Sequence, residues 1–92
     1  MMTCIMLVNA ERQQIASVAE QLAAMPQLAE VYSVSGQYDL VAVIQVSGPE
    51  ALSALVTHAL AAVNGIVRTE TMLSLRTYRK QDLDAMFDIG TA

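Results

Sequence analysis

The sequence has few of the residues on which most catalytic and metal-binding chemistry depends. Among its 92 residues there is one cysteine, one histidine and no tryptophan, and only 15% of the residues are charged. Cys4 cannot form an internal disulfide, which suits a reducing cytoplasm. The net charge is −4 and five basic residues are scattered along the chain. This argues against direct binding to nucleic acid, because a run of phosphates needs clustered positive charge.

Long apolar runs are also missing. No run approaches the roughly 20 residues that a membrane-spanning helix needs, and the N-terminus lacks the basic start of a secretory signal. We therefore expect a cytoplasmic protein without a membrane partner.

Apolar residues, in contrast, are abundant, at 54% of the chain. A chain of this length fits one domain, and such a small domain buries only a modest core by itself. The excess of apolar residues predicts that a second chain covers part of the surface.

The hydrophobic pattern predicts four strands and two helices in the order βαββαβ. Strands are expected at residues 3–8, 28–35, 39–46 and 66–78, and helices at residues 11–25 and from 49 to about 63. Asn9 is a candidate cap for the first helix. The second helix has an apolar stripe of Leu52, Leu55, Val56, Ala59 and Val63. This order predicts the α+β class and a ferredoxin-like sandwich, an antiparallel four-stranded sheet with two helices on one face.

In that topology the first and third strands are central, and both carry nearly continuous apolar runs, at residues 4–8 and 40–44. Two helices cover only one face of the sheet. We therefore expect the other face to pack against the same face of a second subunit in a homodimer.

Candidate catalytic and metal-binding groups are sparse. Cys4 lies in an apolar strand, and His58, its one possible imidazole partner, lies off the stripe of the second helix, so no base is expected within reach of the thiol. Acidic residues near the C-terminus do not follow a calcium-loop pattern; they are Asp82, Asp84 and Asp88. The sequence predicts no enzyme activity, no metal and no cofactor.

The turn "GQYD", residues 36–39, has two interpretations. It is a plain hairpin connection if Gly36 supplies a positive φ and Asp39 bonds to nearby amides. It is a ligand site if the Asp39 carboxylate, at the edge of an apolar surface, holds an ammonium group. The residues alone leave both open.

Two segments resemble one protein family. The segment "VYSVSGQYDLVAVI", residues 31–44, is similar to the strand, Gly-x-x-Asp turn and strand of the effector-binding domain of Lrp/AsnC transcription regulators. The segment "GIVRTET", residues 65–71, resembles the start of the family's last strand. The resemblance implies a dimeric α/β-barrel-like assembly, with sheet-to-sheet dimers that form a ring of dimers. It also implies small effectors, usually amino acids, that bind between dimers.

The resemblance implies specific effector-binding residues. Gly36 would let the backbone approach the ligand, and Asp39 would engage its amino group or hold the loop. Other candidates would shape the pocket or contact the effector from a neighbouring last strand; they are Tyr32, Gln37, Tyr38, Thr71, Met72 and Ser74.

The chain departs from the family in having its first strand at the initiator methionine, where full regulators carry a helix-turn-helix domain. We expect a stand-alone effector-binding domain at residues 1–79 and a tail at residues 80–92 that packs on another subunit. The leading hypothesis is a small-molecule sensor in transcriptional regulation. One alternative is a structural partner that co-assembles with full-length Lrp/AsnC regulators without its own ligand, and a less favoured one is a small ferredoxin-like dimeric enzyme.

Overall fold

The structure of the protein is a computed structural model that describes residues 1–81. The predicted βαββαβ order is confirmed. The elements are β1 (Met2–Ala10), a 3₁₀ turn (Arg12–Gln14), α1 (Ile15–Ala23), β2 (Leu28–Ser33), β3 (Leu40–Val46), α2 (Pro49–Ala54) with a π-helical continuation (Leu55–Leu60), and β4 (Ile66–Leu73).

The four strands form one antiparallel sheet in the order β2-β3-β1-β4. The strands with the continuous apolar runs, β1 and β3, are the central pair, as the sequence predicted. With two helices on one side, this is the predicted ferredoxin-like sandwich.

The core lies between the helices and one side of the sheet. Alternate residues of the two central strands are buried there, because side chains of a strand point to opposite faces in turn. The helices contribute four buried side chains to the same cluster. Its main members are Cys4, Met6, Val8, Val18, Leu22, Leu40, Ala42, Ile44, Leu55 and Leu60.

The opposite side of the sheet, which we call the open face, is also apolar. The odd-numbered residues of β1 and β3 lie there; within the single chain they are half-buried, except Gln45, which is exposed. Strand pairing places Tyr32 opposite Val41, and Met72 opposite Ile5, on the same side. Tyr32 and Met72 are 47% and 44% exposed. The apolar members of the open face are Ile5, Leu7, Val41, Val43, Met72 and the ring of Tyr32.

The first helix differs from its prediction at the N-terminal end. Asn9 is not a helix cap, since it belongs to β1 and its side chain donates a hydrogen bond to the Gln37 carbonyl. The chain then makes a 3₁₀ turn before α1 begins at Ile15. A contact between distant segments thus replaces the local cap.

The second helix differs in its buried stripe. The π-helical segment has a wider turn, which displaces the following residues around the helix axis. Leu60 is consequently buried, at 6% exposure, whereas Val56, predicted to face the core, is 41% exposed.

The last strand ends at Leu73 and not near Tyr78 as predicted. The Ser74 amide donates to the Thr3 carbonyl over 2.9 Å, and the paired strand β1 begins at Met2. Only Met1 and Met2 remain beyond Thr3, so β1 cannot pair with the rest of residues 74–78 although they keep a strand-like composition.

No helix among residues 1–81 is long and apolar enough to cross a membrane. The prediction that the tail packs on another subunit concerns mainly residues 82–92, which lie outside the described part of the chain.

Candidate functional site

The candidate site is built on the connection between β2 and β3. The Val34 amide donates to the Asp39 carbonyl over 3.1 Å and closes this connection. Gly36 has a φ of 111°, a conformation that side-chain-bearing residues rarely adopt. A Cβ placed on Gly36 would have no atom within 4 Å. The glycine therefore serves the backbone turn and leaves free space above it.

Asp39 fixes the second half of the connection to β1. Its amide donates to the Val8 carbonyl over 2.9 Å, and its Oδ2 accepts a hydrogen bond from the Ala10 amide, also over 2.9 Å. Asn9 adds a third link, because its Nδ2 donates to the Gln37 carbonyl over 2.9 Å. Of the two roles left open by the sequence, the geometry provides the loop-holding one within the single chain.

Tyr38 connects the same loop to β4. Its hydroxyl donates to Oε2 of Glu70 over 2.5 Å. The bond to this carboxylate is the main reason that the pKa of Tyr38 is raised, with smaller contributions from desolvation and from the Glu70 charge, while the positive charge of Arg68 opposes them. Glu70 was not among the predicted residues. A signal for it was present, since Glu70 is two residues from the predicted Met72 and therefore lies on the same side of a strand.

Strand pairing separates the predicted residues of β4. Thr71 is paired with Met6 and therefore lies on the helix-covered side, whereas Met72 is paired with Ile5 on the open face. Ser74 lies next to Thr3. Asn9, which holds the loop, is six residues from Thr3 in β1, or about 20 Å along a strand. One chain thus brings neither Thr71 nor Ser74 to the loop.

Tyr32 lies on the open face of β2, and its hydroxyl donates to the Glu30 carboxylate. This hydrogen bond is the main cause of the raised pKa of Tyr32, followed by desolvation and the Glu30 charge. Pairing with Val41 places Tyr32 in the same cross-strand row as Leu7 and Glu70. Tyr32, on the edge strand β2, and Glu70, on the edge strand β4, therefore lie at opposite ends of this row.

A depression lies on the other side of the end of β1. The Glu11 amide donates to the Gly65 carbonyl over 2.7 Å, which joins this strand end to the start of β4. The depression has a volume of about 520 Å³ and is lined by Glu11, Arg12, Gln13, Gln14, Gly65 and Ile66. Its four polar side chains are all exposed, so it is a shallow surface feature.

Groups with potential for catalysis do not converge in the described structure. Cys4 is a buried free thiol, while His58 is exposed on the π-helical segment. Among residues 1–81, no three His, Cys, Asp or Glu side chains are close enough to hold a metal ion. The chemistry available near the loop is hydrogen bonding and charge recognition.

Comparison with known proteins identifies the class of domain to which this fold and loop belong. Residues 3–83 match the Lrp/AsnC ligand binding domain. The chain belongs to this family, whose members occur in transcription regulators.

Relatives support the assignment. The HTH-type transcriptional regulator FL11 of Pyrococcus horikoshii is 30% identical over 79 residues, which are 86% of this chain and 52% of FL11. The crystal structure of TTHA0845 from Thermus thermophilus has a TM-score of 0.81 at 39% identity and covers 87% of this chain and 100% of that one.

The fold is also shared with the regulator NMB0573 of Neisseria meningitidis, solved as a complex with L-Met. Its TM-score is 0.78 at 14% identity, with 85% of this chain and 52% of that chain covered. The chain spans about half the length of the curated relatives it matches.

Proposed function

We propose that this protein is an amino-acid-responsive oligomerisation module in transcriptional regulation, which binds its effector at the Gly36–Asp39 loop beside a subunit interface. The module is a cytoplasmic homodimer that forms higher rings, and the described domain makes no direct contact with nucleic acid. Its further partners are full-length Lrp/AsnC regulators.

The observation that carries the proposal is the division of the loop into a fixed half and an open half. Hydrogen bonds hold Gln37 and Asp39 to β1. Gly36 leaves its backbone accessible. A preorganised loop with an accessible backbone loses little conformational entropy when a small ligand binds.

An amino acid is the effector class with the best support. The structural neighbour from Neisseria meningitidis contains L-Met, and an amino acid offers charged groups that suit the polar atoms of this loop. Micromolar to millimolar affinity requires about 4 to 8 kcal/mol. A few charge-assisted hydrogen bonds, at about 1.5 to 3 kcal/mol each, supply much of this free energy.

The open face supplies the proposed dimer interface. It carries a contiguous group of half-buried and exposed apolar residues, and covering each large side chain contributes about 1.5 to 3 kcal/mol. A second copy presenting the same face satisfies two-fold symmetry. The loop then lies at the rim of the interface, where a neighbouring subunit completes the pocket. Thr71, on the opposite side of the sheet, and Ser74 would contact an effector only from such a neighbour.

The test is a thermal-shift panel of the twenty amino acids at millimolar concentration, with calorimetry on each amino acid that stabilises the protein. The panel is repeated with Asp39→Asn and Asp39→Ala. Asparagine keeps an acceptor for the Ala10 amide, whereas alanine removes it. We expect effector binding to persist in Asp39→Asn and to fall at least about tenfold in Asp39→Ala, since an unanchored loop loses its preorganisation.

Two other results have distinct meanings. Equal loss in both variants would assign the Asp39 charge to direct contact with the ammonium group. No stabilisation of the native protein by any amino acid would reject the sensor proposal. In that case the protein could still form mixed oligomers with a full-length Lrp/AsnC regulator. If Asp39→Ala forms the same mixed oligomers, the alternative of a structural co-assembly partner is supported.

A further inference from the structure

Arg68 and Glu70 form a pair of opposite charges on the open face of β4. They are two residues apart in one strand, so their side chains leave the same side. The pairing of Arg68 with Asn9, and of Glu70 with Leu7, places both at the end of the sheet where the β2–β3 loop lies. Both side chains are exposed.

The loop reaches this pair directly. Tyr38 donates its hydroxyl to Glu70, and the Arg68 charge acts on the same phenol, since it lowers the pKa that Glu70 raises. Asn9, which faces Arg68 across the ladder, holds the Gln37 carbonyl. The charged pair and the loop therefore border one small volume of the surface.

The spacing of the pair suits a zwitterion. Alternate residues on one side of a strand are about 7 Å apart. Their long side chains can therefore contact two groups attached to one carbon atom. A carboxylate prefers an ammonium partner, and a guanidinium prefers a carboxylate, with which it forms two parallel hydrogen bonds.

We propose that Glu70 binds the ammonium group and Arg68 the carboxylate group of an α-amino acid, and that the Tyr38 hydroxyl competes with the ammonium group for Glu70. This inference rests on the proposed function and adds two specificity-determining residues that the family resemblance did not point to. Occupation of Glu70 by the ammonium group breaks the link between the loop and β4. The links to β1 through Asp39 and Gln37 remain.

The competition has a consequence for signalling. Tyr38 lies at the proposed rim of the subunit interface, and its release changes the surface that the loop presents to a neighbouring subunit. Binding of a zwitterion is thus coupled to the contact that holds subunits together. An uncharged analogue of the same shape does not release Tyr38.

The experiment uses calorimetry with three probes: the amino acid that stabilises the native protein most, its α-amide, and the matching α-hydroxy acid. The amide lacks the carboxylate charge, and the hydroxy acid lacks the ammonium group. The variants are Glu70→Gln and Arg68→Gln, with Glu20→Gln and Arg12→Gln as controls, since both control residues are exposed and lie off the sheet.

Glu70→Gln is expected to lower the affinity for the amino acid and for the amide about 10- to 100-fold, the effect of one charge-assisted hydrogen bond, and to leave the affinity for the hydroxy acid unchanged. Arg68→Gln is expected to lower the affinity for the amino acid and for the hydroxy acid by a similar factor and to leave the affinity for the amide unchanged. Tyr38→Phe is expected to raise the affinity for the amino acid several-fold, because the hydroxyl that competes for Glu70 is gone.

Unchanged affinity of the amino acid in both Glu70→Gln and Arg68→Gln would overturn the inference while the proposed function stands. Weaker binding of the amino acid to Tyr38→Phe would overturn the claim that the Tyr38 hydroxyl competes with the ammonium group for Glu70. If the folded native protein binds none of the twenty amino acids, the proposed function fails first and this inference fails with it. None of the variant side chains is larger than the native one, and Arg68 and Glu70 are exposed while Tyr38 is half-buried, so circular dichroism should show a native fold in each case.

Discussion

The hydroxyl of Tyr38 donates a hydrogen bond to the carboxylate of Glu70, a residue 32 positions further along the chain. The contact joins the β2–β3 loop to the edge strand β4. It crosses the end of β1, to which Asp39 is bonded on the same loop. The two family-like segments of the sequence therefore meet at one place in the fold, and this explains why a tight hairpin connection carries a tyrosine and an acid.

The contact predicts a pH dependence at the alkaline end. Tyr38 has its pKa raised above the ordinary value of 10.0, so the neutral phenol is favoured in the folded state. Its contribution to stability is complete below pH 10 and is lost as the pH rises through the folded-state pKa. The difference in melting temperature between the native protein and Tyr38→Phe should shrink above about pH 10.

Circular dichroism melts across alkaline pH measure this difference. Glu70→Gln is the control, since it removes the carboxylate that raises the pKa. In an absorbance titration of Glu70→Gln, the Tyr38 phenol should ionise at a lower pH than in the native protein. A titration identical to that of the native protein would contradict the role of Glu70.

The two glycines with positive φ should differ in their tolerance of a methyl group. Gly36 and Gly65 have φ values of 111° and 102°, so alanine at either position costs about 1 to 2 kcal/mol of backbone strain. At Gly36 no atom lies within 4 Å of the added carbon, whereas at Gly65 it would overlap Oε1 of Gln14. Gly65→Ala should be the more destabilising change in urea unfolding.

A second substitution separates strain from overlap at Gly65. Gln14→Ala removes Oε1 and Cδ but keeps the Cβ, which lies at 3.0 Å from the added carbon. The double variant Gly65→Ala with Gln14→Ala should therefore recover part of the lost stability. If the double variant instead loses as much stability as the two single variants together, the Gln14 side chain moves away from the added methyl group without cost.

The open face should control self-association. Leu7 lies on the central strand β1 in the open face, in the row of Tyr32, Val41 and Glu70, and Leu7→Glu would bury an unpaired charge in a sheet-to-sheet dimer. We expect this variant to sediment as a monomer at micromolar concentration. The matched control is Val56→Glu, an exposed apolar position on the helix layer, which should keep the native oligomer. A dimer that survives Leu7→Glu would place the interface elsewhere.

The π-helical register can be tested by stability. Leu60 is buried and Val56 is not. Leu60→Ala should lower the free energy of unfolding by about 2 to 5 kcal/mol, since it leaves a cavity in the core. Val56→Ala should change it by about 0.5 kcal/mol or less, as surface substitutions do. Equal losses of stability in the two variants would favour the regular α-helix that the hydrophobic stripe predicted.

The sequence by itself determined the order of the elements, the central position of β1 and β3, and the family. Apolar residues in strand-like runs and in helical spacing are local signals. The segments "GQYD" and "GIVRTET" remain recognisable without any structure. Even the excess of apolar residues has a structural counterpart in the open face.

Tertiary structure alone decided where Tyr38, Asp39 and Asn9 direct their side chains. Asn9 precedes a helix and has the chemistry of a cap, yet its partner is the Gln37 carbonyl of a distant loop. Strand register placed Thr71 and Met72 on opposite sides of the sheet and brought Glu70 to Tyr38. Register is set by the pairing of distant strands, and a single-residue shift would exchange the two faces. For this reason the residues of a site that spans a loop and two strands could be named only in part from the sequence.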